Sequence, residues 1–293
     1  MFTIIIILTL VVVVLVAALM KRPTEEVDPH EGQVYINDGF GMVWMTPLEG
    51  VDVNNISQSD IVRYDGVPKY VGEGYETLRG VDVSEHQYDI DWAAVAASGV
   101  DFAYIRLGYR GYTQGGLFED AYFKANIEGA KSNGIKVGVY FFSQAINVQE
   151  AIEEADFVLE RIEQYDIDLP VMYDWEKMEE AGADARTYQL DTAILDECAV
   201  AFCETVKKAG YEPGVYFNRY IGYYGFDLSR LNSYKFWLAV PGDFPDFYYA
   251  FDIWQYSFEE TIPGIETPTD MNLMFIPKVQ TSPSPSAEAT PAA

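Results

Sequence analysis

The chain has 293 residues, 49% hydrophobic and 15% aromatic, which is enough for one large domain with appendages. Nineteen Lys and Arg stand against 46 Asp and Glu, a formal net charge of −27. That balance argues against a nucleic-acid partner and against charge-driven docking on anionic lipid, since both need a basic patch. The two cysteines, Cys198 and Cys203, are five apart in a helical pattern and read as core thiols on different faces. His30 and His86 are the only histidines, and no cluster has zinc spacing, so no metal or cofactor is expected and a Ser-His-Asp triad is weakly supported.

Residues 2–20 are almost wholly apolar and close to the ~20 residues that span a bilayer. The run is long for a signal peptide and lacks a positive leader, so residues 1–22 read as an uncleaved anchor, with cleavage after Val16-Ala17-Ala18 as the alternative. Lys21 and Arg22 follow it, which by the positive-inside rule would keep the remainder in the cytoplasm. Residues 23–78 carry short β-like runs, including a hairpin in "IVRYDGVPKYV" turning at Asp65-Gly66, and read as a β-rich spacer.

From Gly80 strands and helices alternate. "RGVDVS", "DFAYIRLGY", "IKVGVYFFSQ", "PVMYDWE" and "PGVYFN" read as strands. Between them lie helices in "WAAVAASG", "LFEDAYFKANIEGAKSNG", "VQEAIEEADFVLERIEQY" and "YQLDTAILDECAVAFCETVKKAG", three of them stopped by Gly99, Gly134 and Gly210. Then the helices fade, and "KFWLAV", "FDIWQYS" and "TDMNLMFI" read as strands joined by loops. The pattern predicts an α/β fold over residues 79–277, an irregular (β/α) TIM-like barrel with late helices missing. A doubly wound open sheet competes, but no glycine-rich phosphate loop supports it. Residues 278–293 are rich in Pro, Ser, Thr and Ala and read as a disordered tail.

The chemistry gathers where the apolar runs stop. In "PVMYDWE", Asp174 and Glu176 alternate with Trp175, so both acids face one side of the strand. Neighbouring carboxylates cannot both ionise cheaply, and a carboxyl kept protonated near neutrality is what a general acid needs. The competing reading, a helix N-terminus with dipole-favoured acids, weighs about evenly on these residues alone. Other strand ends shift the balance: Asp82 with Ser84, His86 and Gln87; Arg106; Ser143 and Gln144; Asn218; Trp254, Gln255 and Tyr256; Asp270 and Asn272. Acids converging on one cleft beside aromatic rings are the outfit of a glycosidase. Arg106 is also placed to be a structural counter-ion of Asp82 or Asp174.

The ordered set "GVDVSEHQ…IDW", "FAYIRLGYRG", "GVYFFSQA", "PVMYDWE", "GVYFN", "FWLAV", "WQYS" and "TDMNLMF" resembles the glycoside hydrolase family 25 lysozymes from about Gly80 to Phe275. The resemblance implies N-acetylmuramidase action on the β-1,4 bond between N-acetylmuramic acid and N-acetylglucosamine in peptidoglycan strands. It implies Glu176 as general acid, Asp174 as the residue that stabilises charge or orients the substrate acetamido group, and Asp82 and Asp270 as flanking acids. It makes Tyr140, Trp254 and Tyr256 sugar-contact positions; Arg106 and Asn218 join them as strand-end polar residues. One departure is local: family members often carry glycine after "HQ", where this chain has Tyr88. Because peptidoglycan lies outside the cytoplasmic membrane, the resemblance implies an extracytoplasmic catalytic domain, membrane-held through residues 2–20. A non-catalytic glycan-binding surface protein on the same barrel is the alternative.

Overall fold

In the computed structural model, residues 28–178 and 181–278 are described. The expected anchor at 2–20 lies outside them, as does the expected tail beyond Lys278. Among the described residues no helix is long and apolar enough to cross a membrane. They form two units. In the smaller, residues 28–35 and 44–47, the His30 ring stacks on Trp44 at 4.0 Å and Tyr35 leans on the same indole at 4.9 Å.

The larger unit comprises 36–43 and 48–278. Strands β1 (Val34–Asn37) and β2 (Met42–Met45) pair, and β3 (Ile61–Tyr64) and β4 (Val67–Tyr70) form the expected hairpin. Its two-residue turn places Asp65 at φ 51° and Gly66 at φ 83°, the primed geometry that matches strand twist. Residues from Leu48 onward pack on the barrel: Leu48 N–H donates to Tyr249 OH at 2.8 Å, and Asn54 Nδ2 to the Phe247 carbonyl at 3.0 Å.

Eight strands close the barrel: β5 (Tyr75–Val83), β6 (Phe102–Arg110), β8 (Lys136–Ser143), β9 (Val171–Trp175), β10 (Pro213–Asn218), β11 (Lys235–Ala239), β12 (Ile253–Glu260) and β13 (Thr269–Pro277). Neighbours from β5 to β12 run parallel. β13 is antiparallel to both β12 and β5 and closes the ring, with Asp270 beside Asp82. Reversal of the last strand brings its first residues, not its last, to the carboxyl end of the barrel. β5 begins at Tyr75 and pairs along its length with β13, drawing residues expected in the spacer into the barrel wall.

Helices α1 (Trp92–Ala97), α2 (Phe123–Ser132), α3 (Val148–Ile162) and α4 (Thr192–Lys208) fill the early crossovers. Asp91, Asn147 and Asp191 cap α1, α3 and α4 by accepting N–H groups of the first turn. Gly99, Gly134 and Gly210 follow α1, α2 and α4 with φ of 84°, 76° and 93°, the left-handed exit glycine permits. The predicted helix from Leu117 starts late. Leu117–Glu119 form β7, antiparallel to β6, and Asp120 is committed to Arg106. Two short helices, α5 (Arg219–Tyr224) and α6 (Leu228–Leu231), join β10 to β11 where loops were expected.

The barrel interior is filled, not hollow. Phe102, Tyr104, Met172, Tyr216, Trp237, Ala239, Ile253 and Met274 meet there. Tyr104 stacks on Trp237 at 4.7 Å, and Tyr216 meets the same indole edge-on at 4.9 Å. Two glycines make room on the strands either side of β6. A Cβ at Gly80 would lie 2.3 Å from the Phe102 ring, and one at Gly138 would lie 2.4 Å from Tyr104. Each such ring contributes roughly 1.5–3 kcal/mol by leaving water, and together they make a rigid floor for what sits above.

Candidate active site

Above that floor, at the carboxyl ends of the parallel strands, lies a cleft of about 200 Å³. Four acids converge on it: Asp82 from β5, Asp174 from β9, Glu176 just beyond β9, and Asp270 at the start of β13. Tyr140, Phe142, Tyr216 and Trp237 supply its aromatic wall. Trp175, between the two β9 acids, is buried and absent from the lining, as strand alternation requires.

Asp82 is the best-supported acid. Its Oδ2 accepts Asn272 Nδ2 at 2.7 Å and Gln255 Nε2 at 2.9 Å. Trp237 Nε1 donates to Asn272 Oδ1 at 2.7 Å, and Tyr216 OH to Gln255 Oε1 at 2.9 Å, so both amides are fixed in orientation. Burial raises the Asp82 carboxyl to about 6 despite those donors. Asp270, 3.4 Å from the same Gln255 amide, is pushed to about 8 by burial, then by the charges of Asp82 and Glu176. Burial and the neighbouring Asp82 charge thus hold a proton more tightly on Asp270 than on Asp82.

Glu176 is raised to about 7, by burial first and the charge of Asp82 second. Asp174 is raised well above the usual carboxylate range by burial, then by Glu176 and Asp82, with Arg106 acting weakly against them. Its buried Oδ1 has no hydrogen-bond partner among the described residues. An unpaired carboxyl oxygen facing a cleft is costly to the fold and available to a ligand donor.

Glu176 sits at a loop start, but its carbonyl is held. Gln144 donates Nε2 to it at 3.0 Å and accepts Thr187 Oγ1 at 2.6 Å, with Gln144 and Thr187 both out of water. Ser143 faces away, donating to Glu154 at 2.6 Å.

The other expected binding residues divide. Tyr140 and Arg106 line the cleft. Arg106 is the counter-ion of neither Asp82 nor Asp174; its Nε binds Asp120 at 2.8 Å and its Nη2 binds Glu85 at 3.1 Å. Asn218 is turned to other work, its Oδ1 capping α5 by accepting Ile221 N–H at 3.0 Å. Trp254 and Tyr256 must be corrected as sugar contacts. They alternate with Gln255 on β12, so when Gln255 faces the cleft they cannot. Trp254 is fully buried with Nε1 on the Val240 carbonyl at 2.7 Å, and Tyr256 lies under the Arg63 guanidinium, 5.9 Å from its ring centre. The rings that line the cleft beside Tyr140 are those of Trp237, Tyr216 and Phe142. Register could have found two of them: Tyr216 and Phe142 both pair with Asp174.

A closed β/α barrel with buried, partly protonated carboxyls crowded at its carboxyl end defines a glycoside-hydrolase architecture. The chain belongs to the glycosyl hydrolases family 25, whose sequence profile matches residues 81–265, and it is thereby a glycoside hydrolase. It is 28% identical over 210 residues to Lysozyme M1 of Streptomyces globisporus, covering 67% of each chain. The modular autolysin LytC of Streptococcus pneumoniae, solved with a synthetic peptidoglycan ligand, superposes with a TM-score of 0.58 at 25% identity, over 83% of this chain. The chain spans 56% of the length of LytC. A Streptomyces coelicolor lysozyme shares the fold at TM-score 0.55 and 24% identity, over 67% of this chain and 90% of its own.

Proposed function

We propose that the protein is an N-acetylmuramidase, cutting the β-1,4 bond between N-acetylmuramic acid and N-acetylglucosamine in peptidoglycan. The observation that carries this is the buried Glu176 carboxyl, raised to about 7 among three further acids. Such a group holds a proton at neutral pH and can pass it to the leaving glycosidic oxygen. The peptidoglycan ligand of LytC and the naming of Lysozyme M1 support the substrate class.

Asp174 offers its unpartnered oxygen to the acetamido N–H of the sugar at the cleavage point. A hydrogen bond to that oxygen favours the ionised form, so substrate binding lowers the Asp174 carboxyl and primes it to stabilise positive charge. The acetamido carbonyl is then oriented to attack the anomeric carbon, with Glu176 protonating the departing oxygen. Asp82 and Asp270 act at a distance: their shared negative charge keeps Glu176 protonated. Tyr140, Tyr216 and Trp237 provide the ring surfaces for the sugar.

Peptidoglycan as substrate places the barrel outside the cytoplasmic membrane, tethered by the apolar run at 2–20. The Lys21 and Arg22 bias opposes this orientation, but it is statistical, whereas contact with substrate is obligatory. Protease treatment of intact cells should remove the barrel; full protection would refute the placement. For the bond itself, mass spectrometry of muropeptides released from purified walls is decisive. Reducing-end muramic acid is expected. Reducing-end glucosamine would mean a glucosaminidase, anhydro ends a lytic transglycosylase, and binding without release the non-catalytic alternative.

A further inference from the structure

A second hollow of about 300 Å³ opens beside the acid cleft, over the same two strands. Tyr216 and Trp237 line the cleft; two residues further along β10 and β11, Asn218 and Ala239 line the hollow. Residues at i and i+2 share a strand face about 7 Å apart, so one surface runs from the acids onto this rim. Its outer wall comes from the turn between β1 and β2, residues outside the family match at 81–265.

That turn is built to present a ring to water. Asp38 Oδ1 accepts the N–H groups of Phe40 at 2.8 Å and Gly41 at 3.0 Å, while its Oδ2 accepts Tyr224 OH of α5 at 3.1 Å. Phe40 is nevertheless 85% exposed. It meets Tyr220, itself 48% exposed, edge to face at 5.6 Å, and the two rings make a corner of the hollow. Arg219 lines the same hollow. Its Nε is buried without a hydrogen-bond partner among the described residues, and its Nη2 reaches Asp246 only at 4.0 Å. In a chain of net charge −27, an under-paired guanidinium in a hollow with exposed aromatic rings is unusual and suits an anionic, partly apolar ligand.

We propose that this hollow is an additional subsite for the same glycan strand, gripping a sugar and its peptide stem beyond the bond being cut. The apolar face of a pyranose lies on Phe40 and Tyr220, and a stem-peptide carboxylate pairs with Arg219. Continuity with the acid cleft selects a glycan strand as occupant, and Arg219 selects a strand that still carries its stems. The inference rests on the proposed cleavage of peptidoglycan and adds how a long strand is distinguished from a short one.

The test compares wild type with Phe40→Ala/Tyr220→Ala and with Arg219→Gln. Three substrates are used: long stem-bearing strands, long strands stripped of stems by an amidase, and a tetrasaccharide that fills the acid cleft alone. The aromatic double variant should raise KM on both long strands about tenfold with kcat unchanged, and leave tetrasaccharide turnover at the wild-type level. Arg219→Gln should weaken only stem-bearing strands. Equal losses on all three substrates would mean the turn acts through the barrel, and unchanged KM on long strands would mean the hollow binds nothing; either overturns the subsite. Wild type that cleaves none of the three overturns the muramidase reading, and the subsite with it.

Discussion

In the proposed mechanism Glu176 is an acid only while its proton is retained, and burial and then the charge of Asp82 favour retention. Glu176→Gln keeps the shape and removes the proton, so turnover should fall about 10²–10⁴-fold with the melting temperature preserved; muropeptide release at the parent rate would dismiss the assignment. Because the carboxyl titrates near 7, the rate should decline as pH rises through that value, when the donor becomes ionised. Asp82→Asn removes the nearby negative charge, so the alkaline limb of the kcat profile should move to lower pH. Tyr88 makes a different point at the same scale. It has φ 53°, ψ −138°, a conformation that favours glycine, and its ring is 62% exposed. Strain of this kind costs about 1–3 kcal/mol, while glycine gives back part of that in chain entropy. Tyr88→Gly should therefore raise stability by about 1 kcal/mol, seen as roughly 2–4 °C in thermal melts.

The elements place the site through register, and register explains what the sequence revealed and concealed. Asp174 and Glu176 were legible because an apolar strand ends on them and alternation puts them on one face. Asp82 and Asp270 were legible as strand-terminal acids. Their direct adjacency was not, because it depends on β13 running antiparallel between β12 and β5. The assignment of "WQYS" failed for a related reason. Period-two alternation allows either Gln255 or its two aromatic neighbours to face inward, and only the Asn272–Gln255–Asp82 network decides it. Gln144 was visible as a strand-end amide, but its partners, the Glu176 carbonyl and Thr187, lie across a loop that no local pattern links. Gln144→Leu leaves both groups without that bond, at a cost of about 1–3 kcal/mol for the buried Thr187 hydroxyl. Water entering beside Glu176 would relieve the burial that raises its carboxyl. The expected result is a lower kcat with KM little changed and an alkaline limb shifted to lower pH. An unchanged pH profile with only a lower melting temperature would reduce Gln144 to a structural residue.

At the scale of the whole molecule, catalytic and folding demands pull in opposite directions with pH. Asp82, Glu176, Asp270 and the buried Glu154 titrate at about 6, 7, 8 and 7 in the fold, all above their ordinary carboxylate values. A carboxyl raised in the folded state binds its proton more tightly there than in the unfolded chain. Its contribution is thus full below the unfolded value near 4 and is lost as pH rises through the folded value. Each such group gives a slope of at most about −1.4 kcal/mol per pH unit within its own window. The net charge of −27 adds self-repulsion of the same sign as the acids ionise. Below that window the trend reverses. Glu150 is held low, its hydrogen bonds from Arg186 and the Ile146 N–H outweighing its burial, and its contribution is lost on acidification. The melting temperature should therefore peak near pH 5 and fall toward pH 8, while the proposed mechanism needs Asp82 charged and Glu176 protonated. Asp270→Asn tests the coupling. Removing one of the two adjacent acids relieves their repulsion, so the variant should melt higher than wild type at pH 8 and by less at pH 5. A variant with an unaltered difference between the two pH values would show that the acid cluster places no measurable burden on the fold.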